Sequence, residues 1–421
     1  MPEDPGAKDS AHEAAGISTT KAEEDARSGG LLFVLTIYAA SRLFYLGAGT
    51  MFAGNLPAGG FHWLTPDVPP GTLNIWAHWD GAWYSRIAAE GYHTVASTAF
   101  FPLYPLLMRS LAELFGGPLS LPALSVWGVL LSLLALPFAF YFLYKIAQSG
   151  WGERTARTAV LSLAVFPTSF FFNAVYTESL FLALSAGSIW ALRVRRDLLL
   201  ACALAAFATA TRNVGIFLLV PLGYEWLRGE AGREYGWGKG VACLALAPSG
   251  LLAYAAYLWW RSGDLFLFYS AQGYWSRRPT GPSNSLTAVF TEAYESLEGL
   301  FRPQPLADSA LEDLMGRLNG TTDAYNLLFL LFAAVLLVLG VRVLSFSLSA
   351  YTFLLVIPAV FFGKPETPLM GFPRYVLVAF PLFIVLAVLL KNRRHLRLWL
   401  GLSAAFSLVL CAEFVSWRFV A

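Results

Sequence analysis

The chain of 421 residues is 57% hydrophobic, 15% aromatic and only 13% charged, and its mean hydropathy is +0.57. A soluble protein has about 25% charged residues, so this chain has too few polar residues to cover a soluble fold of its length. Its apolar residues form blocks of about 15–25, close to the length of a membrane-spanning helix. The composition therefore predicts an all-α polytopic membrane protein. It excludes soluble enzymes, coiled coils and disulfide-stabilised scaffolds.

The first 30 residues differ from the rest of the chain. Residues 1–30 are polar and acidic, and they are rich in Ala, Gly, Ser and Glu. This composition predicts a disordered cytoplasmic tail. The first apolar block begins only at Leu31, which is too late for the core of a cleavable signal peptide. We therefore predict a retained span at 31–50 and a single membrane domain over 31–421.

Ten further apolar blocks follow, so we predict about eleven transmembrane helices, within a range of about 10–13. The blocks are 121–146, 157–173, 176–192, 197–211, 213–227, 240–260, 324–342, 345–363, 374–390 and 396–418. The blocks 197–211 and 213–227 are short for a bilayer. Two separate spans and a pair of half-helices that meet at Thr211-Arg212-Asn213 both remain open.

The clusters of Lys and Arg at 145–157, 193–196, 228–239, 342 and 391–397 predict the orientation. These clusters all lie on one side if 100–116 does not cross the membrane, and Pro102 and Pro105 support that condition because they break a spanning helix. Basic loops face the cytoplasm. The loops 51–120 and 261–323 are therefore predicted to be extracytoplasmic. We expect a helix in the second loop around Glu312 and Asp313.

One polar residue stands out in the first long loop. Trp79, Trp83 and Ile87 recur at helical spacing, which predicts an amphipathic helix in the membrane interface, and Gly91 can end it. Asp80 stands at the start of this helix. It can serve as the N-cap, or as a general base at the boundary between water and lipid.

Other ionisable residues lie within apolar sequence. Glu178 falls in the first turn of a predicted span, where a function is the default interpretation and compensation of the helix dipole is the alternative. Arg42, Arg212 and Arg374 can bind a phosphate group through bidentate hydrogen bonds, or they can pair with a buried carboxylate. The cysteines and histidines show no spacing typical of metal ligands.

These segments together resemble a known family, the PIG-V-like mannosyltransferases of the GT-C superfamily of polytopic glycosyltransferases. The resemblance depends on segments that occur in family order: Trp79–Tyr84 with Ile87-Ala88 and Gly91-Tyr92, Phe101–Pro105, Ala174–Ser179, Thr211–Asn213 with Gly215, and Arg374-Tyr375 before Pro381. It implies a GT-C-like helix bundle. The acidic tail and the short loops favour a bacterial member of the family.

The resemblance also implies an activity. The implied donor is a polyprenyl- or dolichyl-phosphate sugar, most often mannose, which is transferred with inversion to a lipid or glycan acceptor on the extracytoplasmic side. The catalytic carboxylate maps onto Asp80. Whether Glu178 supplies a second one stays open, because Gly81 follows Asp80 where many relatives have another acidic residue. The chemistry does not require a divalent metal, although the acidic loop residues do not exclude one.

The remaining expected site residues surround these carboxylates. We expect Arg212, Arg374 and Arg42 to contact the donor phosphate. The expected substrate contacts are Trp79, Trp83, Tyr84, Tyr104, Asn173, Tyr176, Asn213 and Tyr375. Two other functions remain as alternatives: a transporter or flippase of a lipid-linked sugar, and a non-catalytic subunit of a glycosyltransferase complex.

Overall fold

A computed structural model describes residues 6–59, 73–228, 230–279, 282–301, 309–364 and 367–420. Parts of the predicted tail (1–5) and of the two predicted long loops (60–72 and 302–308) lie outside these ranges. The helices are α1 (Gly6–Asn55), α2 (Asp80–Glu90), α3 (Leu103–Leu114), α4 (Leu121–Trp151), α5 (Glu153–Ala164), α6 (Glu178–Trp190), α7 (Leu198–Thr211), α8 (Leu219–Arg228), α9 (Glu230–Leu246), α10 (Ser249–Ser262), α11 (Leu267–Ser270), α12 (Pro282–Gly299), α13 (Ala310–Asn319), α14 (Thr322–Val343), α15 (Phe346–Phe361), α16 (Phe372–Val378), α17 (Phe380–Leu389) and α18 (Arg393–Val415). One short antiparallel pair joins β1 (Arg278–Pro279) to β2 (Phe362–Gly363). The all-α prediction is therefore confirmed for the described residues, apart from this pair.

The predicted number of spans is not confirmed. Within the described residues, four helices are long and apolar enough to cross a membrane: Gly29–Asn55 of α1, α4, α14 and α18. Two bent pairs, α9 with α10 and α16 with α17, raise the count to six if each pair is one span. The other predicted blocks fall in α5–α8 and α15, which have 10 to 16 residues. A straight crossing takes about 20 residues, so these helices are too short to count alone.

The loops predicted to share the cytoplasmic side do lie together. Arg154 donates a hydrogen bond to the carbonyl oxygen of Lys391, and Arg193 Nη1 donates to Ser345 Oγ at 2.5 Å. These contacts bring together loops that are distant in sequence, as the charge pattern predicts. Helix α1 begins at Gly6, however, where the sequence predicted a disordered tail. The Ala and Glu residues of this segment have high helix propensity.

The half-helix interpretation of 197–227 describes this segment better than two spans do. Helix α7 ends at Thr211, Arg212 is extended, and a 3₁₀ helix over Asn213–Leu218 leads into α8. The 3₁₀ helix packs back on α7 so closely that a Cβ at Gly215 would lie 2.7 Å from the backbone of Ala208. This turn brings Arg212 to the end of the bundle opposite the basic loops.

Two predictions about helices in the long loops are confirmed, whereas the side of the membrane on which the loops lie stays a prediction. Helix α3 has 12 residues and does not qualify as a span. Glu312 and Asp313 lie in the first turn of α13, and the hydroxyl of Ser309 caps this helix by accepting a hydrogen bond from Glu312 N.

Candidate active site

A cavity of about 700 Å³ opens where α7 ends and where α2, α14 and α16 begin, on the side of the predicted extracytoplasmic loops. Its wall combines charged, amide and aromatic side chains. They include Trp79, Asp80, Trp83, Tyr84, Arg86, Arg212, Asn213, Arg277, Asp323, Asn326, Lys364, Arg374 and Tyr375.

Two carboxylates and two arginines form a connected network at the base of this cavity. Arg374 donates from Nη1 to Asp80 Oδ2 at 2.6 Å and from Nε to Glu178 Oε1 at 2.6 Å. Arg212 Nη1 donates to the same Glu178 oxygen at 3.0 Å. Arg374 is thus fixed between the two carboxylates that the sequence singled out.

The backbone before α2 directs Asp80 toward this network. Asp80 is the first residue of α2, and Trp79 precedes it with φ 54° and ψ −115°, a conformation that L residues with side chains rarely adopt. The Asp80 carboxylate binds Arg374, so the structure does not support its interpretation as the N-cap. Its side chain is 33% exposed and lines the cavity, where a substrate can reach it.

Glu178 has a different environment from Asp80. It begins α6 and is completely buried. Its Oε1 atom accepts from both arginines, while Glu178 itself is not part of the cavity wall. A buried carboxylate is stable only when opposite charges and hydrogen bonds surround it. The position of Glu178 therefore suits a structural role in which it holds Arg212 and Arg374 in place.

Local sequence explains how Arg374 reaches the cavity. Gly371 precedes α16 and adopts the left-handed region with φ +82°. Pro373 occupies the first turn of the helix, where an N–H group would have no partner within the helix and its absence costs no hydrogen bond. The guanidinium of Arg374 then lies over the ring of Tyr176, 4.4 Å from its centroid. Cation–π contact adds to the two ion pairs in fixing its orientation.

Five of the eight expected substrate contacts line the cavity: Trp79, Trp83, Tyr84, Asn213 and Tyr375. Trp83 stacks on Phe100 with ring centroids 5.8 Å apart. Tyr84 lies one turn after Asp80, and burial, together with the negative charge of Asp80, raises the pKa of its hydroxyl. Tyr84 therefore keeps its proton at neutral pH and remains a hydrogen-bond donor.

The other three expected contacts lie behind the cavity wall. The Tyr104 hydroxyl donates to the carbonyl oxygen of Gly128 at 2.8 Å. Asn173 accepts from Arg42 at 2.8 Å, and Tyr176 lies beneath Arg374. All three are buried and support the site from outside the cavity.

The structure does not bring Arg42 to the cavity. Its Nη1 atom donates to the carbonyl oxygen of Ser169 at 2.9 Å as well as to Asn173, and its Nη2 donates to the carbonyl oxygen of Ala164 at 3.3 Å. These acceptors belong to the end of α5 and to the 3₁₀ helix Ser169–Asn173. The surroundings of Arg42 thus favour a structural role over the predicted contact with phosphate.

Sequence reasoning missed several residues of the wall. Arg277 and Lys364 come from two loops that the β1–β2 pair joins, and Asp323 and Asn326 come from the first turns of α14. Asn326 is completely buried, and both atoms of its amide lack a hydrogen-bond partner among the described residues. Asp323 and Asn326 are two polar residues near the start of an apolar helix, and this pattern in the sequence could indicate a site. Over the same ranges, no three His, Cys, Asp or Glu side chains cluster as metal ligands would.

Comparison with known proteins gives a family match over part of the chain. Residues 32–228 match the family model described as mannosyltransferase (PIG-V). This range, slightly less than half of the chain, resembles a glycosyltransferase. The matched range contains Asp80, Glu178 and Arg212, whereas Arg374 lies beyond it.

Two curated relatives belong to animals. GPI mannosyltransferase 2 of Drosophila pseudoobscura pseudoobscura is 34% identical over 128 residues, which cover 29% of this chain and 28% of the relative. Human GPI alpha-1,6-mannosyltransferase 2 is 31% identical over 155 residues, which cover 35% of this chain and 30% of the relative. The chain thus spans under a third of the length of these relatives.

Two solved structures resemble the whole chain weakly. An oligosaccharyltransferase of Archaeoglobus fulgidus has a TM-score of 0.44 at 11% identity, over 91% of this chain and 56% of that one. ArnT of Cupriavidus metallidurans bound to undecaprenyl phosphate has a TM-score of 0.41 at 11% identity, over 91% and 78%. At these TM-scores neither likeness establishes a shared fold.

Proposed function

We propose that this protein is an inverting membrane glycosyltransferase with a GT-C-like bundle, which transfers mannose from a polyprenyl-phosphate donor to a hydroxyl of a lipid or glycan. The observation that carries the proposal is the position of Asp80. It is a partly exposed carboxylate on the wall of a large cavity, held by an arginine, in the part of the chain that matches mannosyltransferases. Soluble ligands fill pockets of about 300–1,000 Å³, and this cavity has room for a sugar phosphate.

Asp80 acts as the general base. Its carboxylate takes the proton of the acceptor hydroxyl while that oxygen forms a bond to the anomeric carbon. The bond between the anomeric carbon and the phosphate oxygen breaks, and the lipid phosphate leaves with the electron pair. Inversion follows because attack and departure occur on opposite faces of the sugar.

The other network residues keep this base in place. Arg374 and Arg212 lie on the cavity wall, which supports the expectation that they act near the donor phosphate. Glu178 lies behind both, so we assign it a positioning role. Arg374 pairs with both carboxylates and Arg212 pairs with Glu178, so the carboxylates stabilise both arginines.

The part of the wall at the start of α14 suits a sugar. The amide of Asn326, which has no hydrogen-bond partner among the described residues, offers a donor and an acceptor, and Asp323 lies one turn before it. Sugar hydroxyls satisfy both kinds of group. Bound hydroxyls thereby remove the energetic cost of the buried unpaired amide.

The orientation follows from the charge pattern. We place the basic loops and the amino terminus in the cytoplasm and the cavity on the extracytoplasmic side. A bacterial plasma membrane is our sequence-based prediction, which the two animal relatives do not support; the endoplasmic reticulum membrane is the alternative location.

The direct test is transfer by purified protein in lipid nanodiscs, supplied with radiolabelled polyprenyl-phosphate mannose and a panel of lipid and glycan acceptors. We expect Asp80→Asn to lower transfer by about 10²–10⁴-fold, the usual contribution of a general base. Glu113→Gln is the matched control, because Glu113 is exposed, pairs with Arg109 on α3 and lies outside the cavity.

Each outcome has a clear meaning. Full transfer by Asp80→Asn, at an unchanged melting temperature, would eliminate Asp80 as the base. Movement of the labelled lipid across the bilayer without transfer to any acceptor would favour the transporter alternative. Neither transfer nor movement would favour the non-catalytic subunit.

A further inference from the structure

The charges of the Asp80–Arg374 network already compensate one another. Arg374 and Arg212 carry two positive charges, and they bind Asp80 and Glu178, which carry two negative charges. Two of the three guanidinium nitrogens of Arg374 are held by carboxylates. This network therefore has little net charge to offer an anion.

Two other cations of the wall are differently placed. Arg277 and Lys364 line the cavity and are partly buried, and neither forms an ion pair with a described residue. Arg277 Nη2 has a neutral partner, the carbonyl oxygen of Met370, at 3.3 Å. Among the described residues, no carboxylate neutralises the positive charge of either side chain.

The fold holds these two residues side by side. In the β1–β2 pair, Arg278 lies opposite Gly363, so Arg277 and Lys364 extend the same register by one position. Gly371 keeps the approach open, because a Cβ there would lie 3.1 Å from Arg277 Nη2. The pairing thus converts two distant loops into one cationic surface facing the cavity.

We propose that Arg277 and Lys364 form a clamp for the phosphate of the lipid donor and of the lipid phosphate that leaves. This inference rests on the proposed function and adds the residues that bind its charged group. Arg86 also lines the cavity, but we do not assign it to the clamp. Its side chain is exposed, and its guanidinium lies 6.0 Å from the centroid of the Trp83 ring.

The charge of the reaction explains why two cations are useful. The donor is a phosphodiester with one negative charge, and the leaving lipid phosphate is a monoester that approaches two, since its second pKa is about 6. Cations placed where charge develops stabilise the transition state more than the ground state. The clamp therefore binds the product lipid phosphate more tightly than the donor.

The test measures binding without transfer. Radiolabelled polyprenyl phosphate, which has no sugar, is titrated against purified protein in nanodiscs of phosphatidylcholine, so that no anionic headgroup competes. The variants are Arg277→Gln, Lys364→Gln and both together. We expect about tenfold weaker binding for each single change and about a hundredfold for the double variant, as suits charge-assisted contacts.

Two controls make this result specific. Arg278→Gln removes a neighbouring charge on the same strand, at an exposed position outside the cavity wall, and should leave binding unchanged. Uncharged polyprenol should bind all variants alike. Arg277→Lys and Lys364→Arg, which keep the charge, should restore most of the affinity for the phosphate.

The outcomes separate this inference from the proposed function. Wild-type binding of polyprenyl phosphate that the double variant retains would overturn the clamp and leave the glycosyltransferase proposal intact. Equal losses for polyprenyl phosphate and polyprenol would also overturn it, because they indicate a structural effect. Failure of the wild-type protein to bind polyprenyl phosphate would count against the proposed function itself.

Discussion

Arg42 and Arg374 are both buried arginines in apolar helices, yet their surroundings differ in kind. The partners of Arg42 are neutral: the carbonyl oxygens of Ser169 and Ala164 and the amide oxygen of Asn173. The partners of Arg374 are two carboxylates, one of which faces a cavity. Neutral acceptors fix a backbone turn around Arg42, whereas the ion pairs of Arg374 hold a carboxylate at the wall of a cavity.

This difference shows what an arginine within apolar sequence can and cannot predict. Burial of the charge is common to both sites, so burial alone does not indicate function. The distinguishing feature is whether the partners are ionised and whether one of them is open to a ligand. Three substitutions test how far the distinction holds.

Removal of Arg374 should have the largest effect. Arg374→Gln leaves Asp80 and Glu178 without their shared cation, and breaking a buried ion pair from one side costs about 3–5 kcal/mol. We expect a lower melting temperature and a loss of transfer of about a hundredfold or more, comparable with loss of a preorganised charge. Nanodisc transfer assays and thermal unfolding measure both. Wild-type transfer with a normal melting temperature would refute the network.

Removal of Arg42 should lower the stability of the protein without changing the rate of transfer. Arg42→Met leaves buried carbonyl groups unpaired, at about 1–3 kcal/mol for each group that finds no other partner. We expect a lower melting temperature with a turnover number and donor KM close to wild type for the folded fraction. A specific rise in donor KM would instead return Arg42 to the phosphate site that the sequence suggested.

Neutralising Glu178 should lower transfer less than removal of Arg374 does. Glu178→Gln replaces one ionised partner of Arg374 with a neutral amide, so this contact comes to resemble the contact between Arg42 and Asn173. The amide oxygen still accepts a hydrogen bond. We expect about a tenfold loss of turnover, with donor KM no higher, because a charged hydrogen bond contributes about 1.5–3 kcal/mol and only part is lost. A loss as large as that of Asp80→Asn would show that Glu178 is a second catalytic carboxylate.

Four charged residues that the sequence singles out form one network in the structure, and their catalytic and binding roles stay predictions. Asp80, Glu178, Arg212 and Arg374 were found because an ionisable residue is conspicuous in apolar surroundings, and the structure joins all four. Positive loops and paired prolines also predicted which segments share an end of the bundle. These signals are local and need no knowledge of packing.

The rest of the site depends on packing that short patterns do not encode. The strands β1 and β2 have two residues each, which are too few for a strand pattern in the sequence. No sequence pattern therefore predicts that Arg277 and Lys364 lie at facing positions of the same register. The predicted span count is not confirmed, because composition cannot locate a break such as the extended Arg212 or the 73° bend between α16 and α17. Apolar runs therefore outnumber the helices that qualify as spans.

The sequence separations within the network have a consequence for biosynthesis. Arg212 follows Glu178 by 34 residues, whereas Arg374 follows Asp80 by 294. During synthesis Arg212 becomes available to Glu178 early, whereas Arg374 becomes available to Asp80 only after most of the chain has been made. The network is therefore completed last at Asp80, and a chain that ends before Arg374 lacks this ion pair.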